Sequence, residues 1–220
     1  MRFIELEGLD GCGKTTQINE ICKRLKENNQ DFKKIKLPDY ENDSSILVRK
    51  YLNGDFGKTA NDVNAYAASL FYTVDRIASY SESWKEDYLN DRLIIADRYT
   101  SANLIYQMAK LPKIEWAKYL HWLTNLEFNM VELPKPNEVI FLDMPIEISQ
   151  KLMSERYNGD ESKKDIHEKN VEYLKLCREA ALYAAEHLDW KIVSCVTDTG
   201  EIRTIEDINE EIMKYVFAYC

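Results

Sequence analysis

The stretch Gly8-Leu9-Asp10-Gly11-Cys12-Gly13-Lys14-Thr15-Thr16 decides how this chain is interpreted. It matches the phosphate-loop pattern G-x-x-x-x-G-K-[ST] at every fixed position. Residues 2–7 before it predict a short strand, and residues 16–28 after it carry apolar side chains at helical spacing. A glycine-rich turn between a strand and a helix directs backbone N–H groups at an anion. We therefore predict that the chain binds a nucleoside triphosphate.

The loop also supplies side chains for the triphosphate. Lys14 is expected to reach the β and γ phosphates, and Thr15 is expected to hold Mg²⁺. We interpret Cys12 as a small residue at a variable position, and a reactive thiol is the alternative. The residues assigned to the triphosphate are Gly8, Asp10, Gly11, Cys12, Gly13, Lys14, Thr15 and Thr16.

Composition narrows the class of protein. A length of 220 residues suits one domain, and a net charge of −9 argues against a general nucleic-acid binder. That charge does not exclude small anionic ligands, whose sites depend on local cations. The sequence has no apolar run long enough for a membrane span, and its strand-like start predicts no signal peptide. Five scattered cysteines without metal-binding spacing indicate reduced thiols and a cytoplasmic protein.

Buried-type strands alternate with helical patterns along the chain. The strands are expected at residues 2–7, 33–37, 93–96, 139–142 and 191–195. Helices are expected at 16–28, at 46–52, at 61–89, in two segments broken near Pro112, at Ile146–Arg156, at 165–187 and after a capping pair at Thr204 and Asp207. This alternation predicts an α/β fold with a five-stranded parallel sheet in three α/β/α layers. We predict a single domain over residues 1–220, with the polar segment at about 156–165 as a mobile lid.

Two further pairs of residues suggest a second ligand. Asp97 and Arg98 follow a predicted strand, where ligands of parallel sheets bind, and Arg98 could clamp an anion. Asp97 could orient Arg98 or assist Mg²⁺, and a salt bridge that closes the strand explains the pair equally well. Tyr72 and Arg76 share one helical face and could stack on and contact a flat base. A core tyrosine beside a solvated arginine is the alternative.

The order and spacing of these pieces resemble the thymidylate kinase family. The resemblance rests on residues 8–17, Pro38-Asp39-Tyr40, residues 70–76, residues 97–107, Leu133-Pro134-Lys135-Pro136 and Asp165-Ile166-His167-Glu168. It covers nearly the whole chain. It implies a phosphate-loop NTPase fold, a homodimer, and transfer of the γ-phosphoryl group of ATP to dTMP with Mg²⁺.

The resemblance also implies roles for individual residues. Asp10 would bind the sugar 3′-hydroxyl, Arg98 the acceptor phosphate, and Tyr40 would lie beside that phosphate. Tyr72 would stack on thymine, Arg76 would contact its O4, and Asn103 the far edge of the base. Tyr106 would pack under the sugar and exclude a 2′-hydroxyl. Thr15, Asp97 and Glu168 are the expected metal-site residues.

Two positions depart from the family pattern, and one arginine is missing. Many members have serine where this chain has Ala102, with Ser101 beside it, and some have arginine in place of Tyr40. Part of the family places a catalytic arginine inside the phosphate loop, which has none here. We therefore expect the lid to supply it through Arg156, with help from Lys163 and Lys164.

Other functions remain as alternatives at this stage. A kinase for another nucleoside monophosphate or for thymidine is the nearest one. A regulatory nucleotide-binding switch is the non-enzyme alternative, but the N-K-x-D motif of GTPase switches is missing from the sequence. The adenine pocket is placed at residues 197–203 only because they follow the fifth strand.

Overall fold

The computed structural model describes residues 1–156 and 170–220, with Arg156 described in its backbone only. Within these ranges five strands form one sheet in the order β2-β3-β1-β4-β5, and every neighbouring pair is parallel. The strands are β1 (Phe3–Gly8), β2 (Phe32–Lys36), β3 (Leu93–Asp97), β4 (Glu138–Asp143) and β5 (Lys191–Ser194). The predicted α/β fold with a five-stranded parallel sheet is confirmed.

Helices connect the strands and cover both faces of the sheet. They are α1 (Lys14–Glu27), α2 (Ile46–Leu52), α3 (Ala65–Ser79), α4 (Lys85–Leu89), α5 (Ser101–Tyr106), α6 (Trp116–Thr124), α7 (Ile146–Arg156), α8 (Val171–Leu188) and α9 (Ile205–Val216). Helix α9 begins as its sequence predicts, because the Thr204 hydroxyl accepts a hydrogen bond from the Asp207 backbone N–H at 3.1 Å.

The apolar core lies on both sides of the sheet. On one face, α1 and α9 bury Ile18, Ile21 and Ile212 against strand residues such as Leu6. On the other face, α5, α6 and α8 pack together, with Phe141 of β4 in the same cluster. The central strands β1 and β3 are buried along their whole length, and β3 accordingly has a nearly continuous apolar sequence, whereas β1 also carries Glu5 and Glu7.

The register of the sheet places the carboxyl ends of its central strands together at one edge. Leu6 lies opposite Asp97, and Gly8 lies opposite Leu142. The phosphate loop therefore begins at the same edge of the sheet where β3 delivers Asp97 and Arg98. This is the edge at which ligands of parallel α/β sheets bind.

Two predicted helices differ from the structure. The expected helix at 61–89 begins only at Ala65, where the Asn64 side chain caps it, and a π-helical turn at Tyr80–Trp84 separates α3 from α4. This turn carries Trp84, which is fully buried against Phe3 and Tyr80. The helix expected at 165–187 begins only at Val171 in the structure, because the non-helical Asn170 caps α8, and residues 165–169 lie outside the described residues.

The proposed lid also lies outside the described residues, except that the backbone of Arg156 ends α7. The single-domain interpretation of residues 1–220 stays a prediction.

Candidate active site

The phosphate loop joins the end of β1 to the start of α1. Gly11 and Gly13 have φ angles of 82° and 86°, in the left-handed region that favours glycine. At Gly11, a side-chain Cβ would also lie 2.5 Å from the backbone oxygen of Ser149 in α7. Gly11 is therefore required both by its backbone conformation and by the close approach of α7.

The amino end of α1 is suited to a negative ligand. Among the described residues no side chain caps this helix end, and its first turn carries no acidic residue. The N–H groups at a helix start and the positive end of its dipole both favour an anion. Thr15 and Thr16 are exposed at this end, so their hydroxyls are accessible to a ligand.

Lys14 and Asp97 meet at the edge of the sheet. Lys14 Nζ lies 3.7 Å from Asp97 Oδ1, and each residue is at least nine-tenths buried. Asp97 thus pairs with Lys14, whereas the contacts of Arg98 are to Asp10 and Glu7. These contacts do not support Asp97 as the residue that orients Arg98, whereas the alternative of a salt bridge that closes the strand agrees with them.

Arg98, Asp10 and Tyr106 form a charged cluster beside the loop. Arg98 has a φ of 70°, and its Nη2 donates to Asp10 Oδ1. Tyr106 Oη donates to Asp10 Oδ2 at 2.9 Å, and the Arg98 guanidinium lies 5.2 Å from the centre of the Tyr106 ring. Burial opposes the charge on Arg98, but Asp10, Tyr106 and Glu7 together outweigh it and raise the pKa of Arg98. Arg98 is a permanent cation at this site.

Arg76 lies in the interior and pairs with Glu127. Its Nε lies 3.0 Å from Glu127 Oε2 and its Nη2 lies 2.6 Å from Oε1. The hydroxyl of Thr73 also donates to Glu127, at 2.6 Å, and Arg76 Nη1 donates to the Tyr99 carbonyl at 3.3 Å. The alternative that Arg76 is a solvated surface residue is wrong, because Arg76 is 2% exposed.

These residues surround a cavity of about 260 Å³ at the carboxyl edge of the sheet. It is bounded by the phosphate loop, the end of β2, α3 and α5. The sequence-predicted residues that line it are Asp10, Lys14, Thr15, Tyr40, Tyr72, Arg76, Asp97, Arg98, Asn103 and Tyr106. Segments far apart in the sequence therefore meet at one site. Tyr40 is 43% exposed at the rim, Tyr72 is half-buried, and Asn103 is buried and donates to the Ser69 carbonyl at 3.4 Å.

The cavity wall contains polar residues that the sequence analysis did not select. Lys36 is exposed at the end of β2, and Asp75 lies one residue before Arg76. Gln107 is 1% exposed, and its Oε1 has no hydrogen-bond partner among the described residues. A buried amide oxygen without a partner costs free energy unless a ligand satisfies it. The position of Lys36 at the end of a predicted strand was a usable sequence signal, whereas the orientation of Gln107 was not.

Glu5 and Glu7 of β1 were also missed. Both are buried, and the Ser101 hydroxyl contacts both carboxyl groups. Glu7 Oε1 accepts a hydrogen bond from the Gly8 N–H at 2.8 Å, directly at the start of the phosphate loop. Two glutamates in a strand predicted to be buried were the sequence signal for this cluster.

Three other predictions have different outcomes. Cys12 is 3% exposed and burial raises its pKa, which agrees with a buried small residue and not with a reactive thiol. The Arg156 side chain and Glu168 lie outside the described residues, as do Lys163 and Lys164. Residues 197–203 form a hydrogen-bonded turn after β5, closed by a bridge between Val196 and Ile202. Their assignment to adenine stays a prediction.

The fold and the site define a phosphate-loop nucleotide kinase. The phosphate loop lies beside a cavity whose wall carries a second cation, Arg98. In the described part of the chain, no helix is both long enough and apolar enough to cross a membrane.

Comparisons with known proteins identify the family. The model of the family "Thymidylate kinase" matches residues 6–209. The chain is 30% identical to a thymidylate kinase of Prochlorococcus marinus (strain MIT 9312), over 99% of this chain and 97% of the relative. It is 28% identical to a probable thymidylate kinase of Thermococcus onnurineus, over 97% and 96%, and 24% identical to the thymidylate kinase of Mycobacterium tuberculosis (strain ATCC 25618 / H37Rv), over 91% and 94%. The chain belongs to the thymidylate kinase family.

Proposed function

We propose that this chain transfers the γ-phosphoryl group of ATP to dTMP, giving ADP and dTDP. The observation that carries the proposal is the single cavity that joins the phosphate loop, through Lys14, to an acceptor site with Arg98 and Tyr72. Membership in the thymidylate kinase family supports the same reaction.

The acceptor phosphate is assigned to Arg98. Its guanidinium is a planar fork with five N–H donors, which suits phosphate oxygens. Asp10 Oδ1 accepts a hydrogen bond from Nη2 of this guanidinium, and other N–H groups of Arg98 can donate to a ligand. The Asp10 carboxylate is also assigned to the sugar 3′-hydroxyl, and Tyr40 at the rim of the cavity is assigned to a position beside the acceptor phosphate.

The thymine base is assigned to the wall opposite the phosphate. Tyr72 is half-buried there and offers an aromatic face for stacking. Arg76 is fixed by Glu127, so its remaining N–H donors can contact the carbonyl O4. Gln107 Oε1, which has no hydrogen-bond partner among the described residues, can accept from the N3–H of thymine, and Asn103 is assigned to the far edge of the base. Together these groups supply the donors and the acceptor that a thymine edge requires.

The sugar is assigned to Tyr106. Its ring is 6% exposed, and its hydroxyl is held by Asp10. A ring fixed in this way leaves no room for a 2′-hydroxyl on the face that it covers. Tyr106 therefore selects deoxyribose over ribose.

The residues present fit a magnesium ion. Mg²⁺ is usually held by one or two protein oxygens together with substrate phosphates. Thr15 and Asp97 line the same cavity and offer a hydroxyl and a carboxylate beside Lys14. Glu168 is assigned to the water shell of the ion on the family resemblance. When bound, Mg²⁺ neutralises charge on the phosphates of ATP.

Catalysis follows from positioning and charge. The acceptor phosphate is already anionic at neutral pH, so the transfer needs no strong general base. It needs cations that hold two mutually repelling phosphates in line and neutralise charge as it spreads. Lys14 serves the donor and Arg98 the acceptor, and Arg156 is assigned to the transferring group from the lid.

An ADP-release assay tests this function. Purified protein with ATP and Mg²⁺ is given dTMP, dUMP, dGMP or thymidine in parallel reactions. We expect the highest kcat/KM with dTMP and no turnover of thymidine, because the Arg98 site binds a phosphate. Turnover of thymidine without turnover of dTMP would overturn the proposal.

We also propose a cytoplasmic homodimer. Helix α3 presents Leu70 and Val74, which are 45% and 50% exposed, on a helix whose other face lines the cavity. Light scattering of the purified protein, with Leu70→Glu as the disrupting variant, tests this assembly.

A further inference from the structure

A pair of buried carboxyl groups lies beneath the phosphate loop. Glu5 and Glu7 are two residues apart on β1, so their side chains leave the same face of the sheet. Their residues are 1% and 0% exposed. Ser101, the first residue of α5, places its hydroxyl between them, in contact with Glu5 Oε1 and 2.9 Å from Glu7 Oε2.

Counting hydrogen-bond donors places a proton in this cluster. A serine hydroxyl carries one proton and can donate to only one of two carboxyl groups. The second contact is a hydrogen bond only if the other carboxyl group is protonated and donates to Ser101 Oγ. Two ionised carboxylates around one buried hydroxyl would repel each other without water to screen them.

The surroundings decide which glutamate holds the proton. Glu7 Oε1 accepts from the Gly8 N–H and lies 4.0 Å from Arg98 Nε, and these partners favour its ionised form. Burial raises the pKa of Glu7, while Arg98 and Lys14 oppose that rise. At Glu5, burial followed by the Glu7 carboxyl raises the pKa to about 8.

We propose that Glu5 and Ser101 are positioning residues for the phosphoryl transfer. A proton on Glu5 is donated to Ser101 Oγ, Ser101 donates to Glu7 Oε2, and Glu7 is thereby held between the Gly8 N–H and Arg98. The chain of hydrogen bonds fixes the start of the phosphate loop relative to the acceptor clamp. This inference rests on the proposed function, because Arg98 is the acceptor clamp only in that reaction.

The other charged groups around Glu5 leave this assignment in place. Arg76 from α3 favours the ionised form, but less than burial and Glu7 disfavour it. The charge of Glu5 also acts on Tyr99, whose pKa is raised well above its ordinary value mainly by burial. A second cavity, of about 530 Å³, reaches Glu5 from the side away from the phosphate loop and gives the proton a route to solvent. Its titratable or charged lining groups are His121, Lys135, Glu138, Asp189, Lys191 and Tyr219.

A rise in pH distinguishes the proposed role of the Glu5 proton from a role of Glu5 in packing alone. As pH rises through about 8, Glu5 loses its proton, the hydrogen-bond chain is broken, and a second charge repels Glu7. In Glu5→Gln, the side-chain amide donates to Ser101 at every pH. Glu138→Gln is the matched control, since Glu138 lines the same second cavity but faces Lys191 at 4.0 Å.

The experiment measures kcat/KM for dTMP against pH for the three proteins. We expect wild type and Glu138→Gln to lose activity above about pH 8, and Glu5→Gln to show no such loss. A loss of the same size and midpoint in Glu5→Gln would overturn the proposal. Ser101→Ala should lower kcat/KM about tenfold, the loss expected for one hydrogen bond to a charged group, and Ser101→Thr should restore it. Wild-type activity in Ser101→Ala would also overturn it.

Infrared spectroscopy tests the proton without any turnover. We expect the carbonyl stretch of a buried protonated carboxyl group in wild type at neutral pH, and its loss in Glu5→Gln. A spectrum that is the same in both proteins would overturn the proposal. If wild type fails to phosphorylate dTMP but shows this band, the proposed function fails while the proton on Glu5 stands.

Discussion

Arg76 and Glu127 form a two-pronged ion pair in the protein interior, with Nε 3.0 Å from Oε2 and Nη2 2.6 Å from Oε1. The two residues are 2% and 0% exposed. The hydroxyls of Thr73 and Thr100 contact the same carboxylate at 2.6 Å and 3.3 Å. Glu127 therefore fixes the arginine that we assign to the base.

Removing Glu127 should destabilise the fold and impair the site together. Glu127→Ala leaves Arg76 charged and buried without its partner, which costs about 3–5 kcal/mol. The double variant Arg76→Met/Glu127→Leu removes both charges, so its free energy of unfolding should return close to wild type while kcat/KM for dTMP stays low. Urea unfolding and steady-state kinetics measure the two effects. An unfolding free energy of Glu127→Ala equal to that of wild type would contradict the prediction.

This ion pair also shows why part of the site could not be predicted from sequence. The phosphate loop, Arg98 and Tyr106 belong to local patterns whose spacing is visible in the chain. Glu127 lies 51 residues from Arg76, in a π-helical turn at Asn125–Met130. A glutamate in a mixed polar segment is ordinarily a solvated residue, and only the tertiary contact makes it a buried partner.

The fold was more predictable than the side-chain partners. Nearly continuous apolar sequences marked the buried strands β3 and β4, and all five strands were located to within one or two residues. The π-helical turn at Tyr80–Trp84 was missed, because one inserted residue barely disturbs a helical pattern. Gln107 was missed because sequence does not show which polar side chains lack a partner.

Replacing Arg98 by lysine should weaken the acceptor site selectively. Arg98→Lys keeps the charge but loses the planar fork and the geometry of its contact with Asp10. We expect the KM for dTMP to rise on the order of tenfold to a hundredfold, since hydrogen bonds to charged groups are worth about 1.5–3 kcal/mol. The KM for ATP should stay close to wild type. Arg92→Lys, which alters surface ion pairs with Asp31 and Asp87, is the control, and equal effects in both variants would contradict the assignment.

Two substitutions at Tyr106 separate its ring from its hydroxyl. Tyr106→Phe loses the 2.9 Å bond to Asp10 and should lower kcat/KM for dTMP about tenfold. It should still reject the ribonucleotide, because the ring remains. Tyr106→Ala opens the face under the sugar and should reduce the preference for dTMP over its ribose analogue. The ratio of the two kcat/KM values measures this, and an unchanged ratio in Tyr106→Ala would rule out the ring as the selecting group.

Lys110 should make the stability of the fold depend on pH. Burial lowers the pKa of Lys110 from 10.5 to about 7, and its Nζ donates to Tyr51 Oη at 2.7 Å. Between these two values the unfolded chain holds a proton that the folded chain has released, so the free energy of unfolding rises with pH. Lys110→Met removes this contribution. Urea unfolding near pH 7 and near pH 9 should show a smaller rise in the variant, and an equal rise would contradict the prediction.

Arg156 should carry the catalytic charge that the phosphate loop lacks. Leu9-Asp10-Gly11-Cys12 contains no arginine, and α7, which ends at Arg156, approaches the loop closely at Gly11. The acceptor site is built from other elements, so Arg156→Ala should leave the KM for dTMP near wild type. Its kcat should fall about 10³-fold, the effect typical of an arginine that stabilises the transferring phosphoryl group.

Lys151→Ala is the matched control for this variant, because Lys151 is an exposed cation on the same helix. It should retain wild-type kcat, which excludes a general effect of removing positive charge from α7. A rise in KM for ATP without a fall in kcat would assign Arg156 to ground-state binding of the donor. Wild-type turnover in Arg156→Ala would show that the charge comes from elsewhere, and Lys163 and Lys164 would then be the residues to replace.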